Sequence, residues 1–289
     1  MAHLSTQPGT LPGTLFVIAT PIGNLDDISA RARETLARVD LVAAEDTRRA
    51  GQLLTRLGCR NRLVSLHEHN EADRVAEVLE VLMSGRNVAL ISDAGTPLIS
   101  DPGYRLLSEL RRHDLPVSPL PGCCAAVAAL SVAGLPSDRF LFEGFLPAKA
   151  GARRKRLAEL LHRPETLVLY ESVHRIRDVL ADLEQVFGPD RPMTLARELT
   201  KLHETIHRGG VADVRERLAA DPGGDKGEFT LVIAGDAAPP SVEQAELERV
   251  LEVLLGEVSV RQAASLAAGI TGAGRRDAYR LANRIKDRE

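Results

Sequence analysis

The sequence predicts an α/β protein with a parallel-rich N-terminal sheet, a second α/β domain built on a mixed sheet, and a small helical appendage. Three observations carry this. Short continuous apolar runs such as LFVIA (15–19) and VALI (88–91) alternate with segments whose apolar residues recur at helical spacing, the pattern of a parallel sheet covered on both faces. Beyond residue 119, strand-like segments such as FLFEGF (140–145) and EFTLVIAG (228–235) lie close together or alternate in period two, which suits a mixed sheet. After DAAPPS (236–241) only helical patterning remains. At 289 residues the chain is long enough for two cores and an appendage.

The elements follow in order. Residues 1–13 (MAHLSTQPGTLPG) lack the apolar core of a signal peptide and read as a flexible leader. The N-terminal domain takes 14–118. Its first strand is 15–19, and Asp26 or Asp27 would cap the helix that presents Ile28, Ala32 and Leu36. LVAA (41–44) and LVSL (63–66) are further strands, and Val75, Val78, Leu79 and Leu82 mark a helix closed by Gly85. After the strand 88–91, Asp101 followed by Pro102 has the form of an N-cap with proline at the first helical position. The second domain takes 119–237, from a small-residue helix at 123–133 through strands near 140–145, 167–171, 193–198, 203–209 and 228–235. The tail is 241–289.

Composition narrows the function. Hydrophobic and charged fractions of 44% and 27% are those of a folded protein. Aromatics make up 3% with no Trp, which argues against an extended base-stacking platform. A net charge of -3 leaves any nucleic-acid surface local. The three cysteines, Cys59 and the adjacent Cys123 and Cys124, fit neither a disulfide framework nor a CxxC metal pair, so a reducing cytoplasm is expected. No run of eighteen apolar residues occurs, so no membrane association is expected.

Two loops at strand ends are richer than a turn requires: ATPIGN (19–24) and SDAGTPLISDPG (92–103). In open α/β sheets ligands bind where strands end and helices begin. Glycine lets backbone approach a ligand, and proline stiffens the loop so that less entropy is lost on binding. Neither GxxxxGK[ST] nor a strand-linked GxGxxG is present, which disfavours nucleoside triphosphates and dinucleotides. A neutral or zwitterionic adenosyl compound suits such loops better.

Taken together, ATPIGNLDDISARA, LVAAEDTR, LHEHN, SDAGTPLISDPGYRL, PLPG before a small-residue helix, LVLYESVHRI and EFTLVIAG occur in that order. They closely resemble the ribosomal RNA small subunit methyltransferase I family, a branch of the tetrapyrrole methylase superfamily, from about Leu15 to Gly235. The resemblance implies the tetrapyrrole-methylase-like two-domain fold, S-adenosylmethionine held between the domains, and a homodimer. It implies as substrate the ribose 2′-hydroxyl of cytidine-1402 in 16S rRNA of the 30S subunit. It also implies a cofactor wall made by Gly95, Thr96, Pro97, Ile99 and Ser100. Pro21, Cys124, Ala125, Tyr170, and Phe229 or Thr230 join it by the same analogy. Tetrapyrrole-modifying relatives usually have Gly-Asp-Pro where this chain has Gly95-Thr96-Pro97, which favours the RNA branch.

A ribose hydroxyl is a poor nucleophile, so a base or an alkoxide-stabilising cation would help. Candidates are Asp46 and Arg48 of EDTR, His67 and Glu68 of HEHN, and Asp93, each of which could equally be a helix cap or a structural ion pair. No metal is expected, because HEHN offers only adjacent ligands with no second cluster. For RNA, Arg153, Arg154, Lys155 and Arg156 crowd the start of a helix, where positive charge opposes the dipole; Arg175 adds to them. Residues 258–289 carry seven Lys or Arg against three acids. They read as helix, glycine turn, helix, with Arg275, Arg276 and Arg280 on the second helix, a form that suits nucleic acid. The alternative for the tail is a hairpin packed through Leu266, Ile270, Tyr279 and Leu281. A small-molecule methyltransferase of the same superfamily and a non-catalytic RNA-binding or ribosome-assembly protein are the competing functions.

Overall fold

The computed structural model describes residues 11–67, 70–224, 226–238 and 241–286. The chain divides into two compact units, Met1–Ala158 with Glu165–Ala234, and Glu159–Pro164 with Gly235–Glu289.

The first unit holds two five-stranded sheets. In the first, β1 (Leu15–Ile18), β2 (Leu41–Ala44), β3 (Arg62–Ser65), β4 (Val88–Ile91) and β5 (Val117–Leu120) are all parallel, in the order β3-β2-β4-β1-β5. The helices explain the continuous apolar runs. Val88 and Leu90 pack toward α3 (Glu71–Met83) and α4 (Tyr104–Arg112), while Ala89 and Ile91 face α1 (Ala30–Leu36) and α2 (Thr47–Leu57). A strand buried on both faces needs apolar residues at every position. Cys59 is a small apolar filler beneath α2.

Three sequence-based boundaries shift. Leu25–Asp27 form a 3-10 turn capped by Asn24, and Ser29, accepting from the Ala32 N–H at 3.1 Å, caps α1 in place of Asp26 or Asp27. The N-cap of α4 is Gly103, so Asp101 is not used as a cap. Residues 117–120 pair with β1, so the first sheet runs past residue 118.

The second sheet has the order β6-β7-β10-β8-β9, from β6 (Phe140–Phe145), β7 (Thr166–Ser172), β8 (Pro192–Arg197), β9 (Thr205–Gly210) and β10 (Glu228–Ile233). Only β6 and β7 are parallel, and their register slips at a bulge between Phe142 and Gly144. Helix α5 (Ala125–Ala133) packs small residues, among them Ala126, Ala129 and Ala133, against Val168, Ala196 and Val232 of this sheet. Helices α6 (Ala150–Leu160), α7 (Ile176–Phe187) and α8 (Val211–Ala220) complete the domain.

In the second unit, α9 (Val242–Leu255), α10 (Val260–Thr271) and α11 (Arg275–Lys286) share a core of Leu247, Leu251, Ala264, Ala267, Ala278 and Ala282. Alanines let α10 and α11 approach closely, and Gly272 at φ 76° turns between them. Leu281 joins this core, whereas Leu266, Ile270 and Tyr279 are about half exposed or more.

Candidate functional site

Because β1 pairs with β4, the two rich loops leave the first sheet side by side. They are bolted together. Thr20 N–H donates to Gly95 O at 2.8 Å and Gly95 N–H returns the bond to Thr20 O at 3.0 Å. Thr96 Oγ1 then donates to Cys123 O at 2.9 Å, tying the loop to the entry of α5. Along the loop, Gly95, Leu98, Ser100 and Gly103 all have positive φ (86°, 73°, 64° and 127°). Leucine and serine resist that region, so two such residues within three positions mark a backbone held by its surroundings.

The bend forms one wall of a cavity of about 370 Å³, through Gly95, Thr96, Ile99 and Ser100. The opposite wall comes from the second sheet and α5: Ala125, Phe145, Tyr170, Phe229 and Thr230. Antiparallel register sets Tyr170 against Thr230 and Glu171 against Phe229. Tyr170 OH accepts the Ala126 N–H at 3.0 Å, which satisfies an amide of the first turn of α5 that no side-chain cap reaches. Burial pushes its phenol well above the usual range, so it stays neutral. Phe142 and Phe145 meet its ring edge-on at 5.0 and 5.9 Å. Pro21, Pro97 and Cys124 adjoin lining residues in sequence; Cys124 Sγ lies 4.0 Å from Tyr170 OH.

Of the acid and base candidates among the described residues, Asp93 lines the cavity and Asp46, Arg48 and His67 do not. Asp93 Oδ2 receives Arg49 Nη1 at 3.0 Å, and its Oδ1 accepts the Asp46 N–H at 3.1 Å. Asp46 caps α2, accepting the Arg48 N–H at 2.8 Å and pairing with Arg48 Nη2 at 3.0 Å. Those bonds hold its carboxyl down to about 2. The Asp46 carboxyl therefore serves the helix start, and the side chain of Arg48 is 87% exposed. His67 is half-buried, and its backbone N–H donates to Asn70 Oδ1 at 2.8 Å. Glu68 lies outside the described residues. Among the described residues no group of three or more His, Cys, Asp or Glu could hold a metal.

Sequence reasoning missed Arg49, Phe145, Asp101 and Glu171. Arg49 stands one residue beyond the EDTR motif and was legible there. Asp101 had been given to the helix end. Burial, with the charges of Glu45 and Asp93, pushes its carboxyl up to about 6 despite the nearby Ser92 hydroxyl, which donates to Ala94 O at 3.4 Å and Gly95 O at 3.3 Å. Glu171 is buried, receives Arg175 Nη2 at 3.1 Å and accepts the Ser172 N–H at 2.8 Å.

Three cations of the α6 cluster, Arg153, Arg154 and Arg156, are paired within the protein, and Arg153 is buried. Arg153 is 3% exposed and binds Asp182 at 2.6 Å and Ala148 O at 3.2 Å, which removes it from any RNA-facing surface. Arg156 makes two bonds to Glu143 at 2.6 and 2.8 Å, and Arg154 shares Asp182 at 3.2 Å. These partners, rather than a ligand, explain why cations crowd that helix start. Arg175 is likewise tied to Glu171 and to Leu146 O. Lys155 is exposed, as are Arg275, Arg276 and Arg280 on α11, the last paired with Asp277 at 2.6 Å.

Residues 14–215 match the family of tetrapyrrole (corrin/porphyrin) methylases, and residues 241–286 match the RsmI C-terminal HTH domain. A Pseudomonas aeruginosa protein named ribosomal RNA small subunit methyltransferase I is 50% identical over 272 residues, covering 93% of this chain and 96% of its own. An Escherichia coli O157:H7 protein of the same name is 48% identical over 270 residues, covering 93% and 94%. In the crystal structure of uroporphyrin-III-C-methyltransferase from Thermus thermophilus, 94% of that chain superposes on 77% of this one, with a TM-score of 0.53 at 24% identity.

Proposed function

The chain belongs to the ribosomal RNA small subunit methyltransferase I family of tetrapyrrole methylases, and we propose from this that it methylates the ribose 2′-hydroxyl of cytidine-1402 in 16S rRNA, using S-adenosylmethionine. The observation that carries the reading is the cavity between the Gly95–Ser100 bend and the Tyr170–Thr230 wall.

Its lining fits an adenosyl sulfonium compound. Ile22, Ile99 and Phe229 offer apolar faces for a nucleoside, the Thr96 and Ser100 hydroxyls offer polar atoms, and the first turn of α5 brings Ala125 to the edge. Carboxylates at Glu45, Asp93 and Asp101 make the same cavity hospitable to a cation. When bound, the cofactor supplies an electrophilic methyl group. The protein's part is to fix the acceptor oxygen in line with that methyl and to exclude water, since positioning alone accounts for much of such a rate. A braced backbone does this well: Asn24 N–H donates to Thr200 Oγ1 at 3.1 Å, tying the first loop to the turn after β8.

RNA is held by exposed cations, Lys155 and Arg154 on α6 and Arg275, Arg276 and Arg280 on α11, through phosphate contacts. The protein works in the cytoplasm as a homodimer, by likeness to the family. Among the described residues no helix is long and apolar enough to cross a membrane.

The test is transfer of labelled methyl from S-adenosylmethionine to 30S subunits that lack the modification, with the position mapped by primer extension at low nucleotide concentration. Label at the ribose of cytidine-1402 is the expected result. Label at another nucleotide, or none, overturns the reading.

A further inference from the structure

The cavity is lined by five carboxylates, Glu45, Asp93, Asp101, Glu171 and Glu228. Asp93 meets Arg49 at 3.0 Å, Glu171 meets Arg175 at 3.1 Å, and Glu228 meets Lys201 at 2.9 Å. An ion-paired carboxylate is a weak base, because proton uptake must break the pair. Asp101 differs. Among the described residues it pairs with no cation, and its carboxyl stands near the Ser92 hydroxyl and the negative charges of Glu45 and Asp93. Tyr170, on the far wall, stays a neutral phenol and brings no charge.

Local structure explains how this residue comes to point inward. An Asp-Pro-Gly sequence before a helix ordinarily uses the aspartate as cap. Here Gly103, at φ 127°, takes the N-cap position, and Ser100 at φ 64° turns the chain just before Asp101. Strain of that kind is kept where the position of a side chain matters more than local stability.

We propose that Asp101 is the general base of the methyl transfer. The inference rests on the reading of a ribose hydroxyl as acceptor. The hydroxyl O–H bond breaks and its proton passes to an Asp101 carboxylate oxygen. The oxygen lone pair forms the new bond to the methyl carbon, and the electron pair of the methyl–sulfur bond stays with the departing thioether. Asp101 then gives its proton to water. Burial and the two neighbouring acids place its pKa at about 6, which leaves it ionised at neutral pH yet more basic than an ordinary carboxylate, as a general base working there requires.

The experiment compares wild type with Asp101→Asn, an isosteric change, on 30S subunits lacking the modification. It reads single-turnover rates from pH 5 to 9, S-adenosylmethionine affinity by calorimetry, and the carboxyl 13C titration of Asp101 in the free protein. We expect the wild-type rate to fall about tenfold per pH unit below about 6. The variant loses about 10²–10³-fold at pH 7.5 and also loses that acidic limb, while its cofactor affinity stays within about twofold. Asp101→Glu, which keeps the acid, restores part of the rate together with the limb. A variant Asn enzyme within threefold of wild type, a slow one that keeps the limb, or an Asp101 carboxyl that titrates near 4 overturns the assignment. Absence of transfer by the wild type itself overturns the acceptor reading and this inference with it, whereas equal transfer by both proteins overturns the inference alone.

Discussion

Arg153 Nε donates to Asp182 Oδ2 across 2.6 Å, with both side chains under a tenth exposed, and so fastens α6 to α7. Arg154 Nη1 takes the second Asp182 oxygen at 3.2 Å. Truncating one member of a buried pair leaves the other charge without a partner, so Arg153→Ala should lower stability by about 3–5 kcal/mol. Urea unfolding at pH 7 reads this directly, and a loss below about 1 kcal/mol would show that water reaches the pair. Replacing Arg153, Arg154, Lys155 and Arg156 together would therefore report on folding before it reported on RNA.

Gly144 sits on the β6 bulge at φ 71°, and a Cβ there would lie 2.9 Å from Ser100 Oγ. The second sheet thus supports the bend at Ser100 by close approach. Gly144→Ala should strain the bulge by about 1 kcal/mol and displace Ser100. Cofactor affinity, measured by calorimetry, should fall about tenfold, or about 1.4 kcal/mol. Unchanged affinity would mean that Ser100 yields without moving the cavity wall.

The fold was legible where burial is two-sided. Every residue of β2 and β4 is buried, and such runs cannot be mistaken for exposed turns. Helix ends were less legible. Asn24 and Ser29, on either side of Asp26 and Asp27, take the caps by local bonds to Asp26 N and Ala32 N, and the left-handed Leu98 and Ser100 turn the chain before Gly103. The bend from Gly95 to Gly103 was readable because glycine and proline announce backbone geometry in the sequence. Phe145 and Glu171 were not, because strand register across residues far apart brings them to the cavity. The burial of Arg153 was hidden for the same reason: Asp182 lies 29 residues along the chain from it. Charge density in sequence reveals cations but not their partners.

The α11 arginines are the better place to look for RNA contact. Arg275 and Arg276 are exposed at the start of the helix, outside the core formed by Ala278, Leu281 and Ala282. Arg275→Ala with Arg276→Ala should leave thermal stability and cofactor affinity unchanged. It should reduce the slope of log affinity for 30S against log salt by about 2. Filter binding between about 50 and 200 mM salt measures it. An unaltered slope would remove these two side chains from the RNA interface.

Asp101 should also mark itself in stability. Its folded pKa of about 6 lies above the 3.8 of an unperturbed aspartate. For a group raised in this way, the contribution to stability is full below the unfolded value and is lost as pH rises through the folded one. Wild type therefore carries a penalty at pH 8 that Asp101→Asn, neutral throughout, does not. Partial exposure to water reduces the effect, so the variant should be more stable by about 1–2 kcal/mol at pH 8. Near pH 4 the difference should shrink toward zero, because the wild-type carboxyl is protonated in the folded state. Urea unfolding of both proteins at pH 4, 6 and 8 separates the possibilities. A variant that gains stability at pH 8 while losing catalysis fits a carboxylate kept for chemistry. One that loses stability at pH 8 would mean that the ionised carboxyl holds the loop together, and the role of base would then fall to another residue.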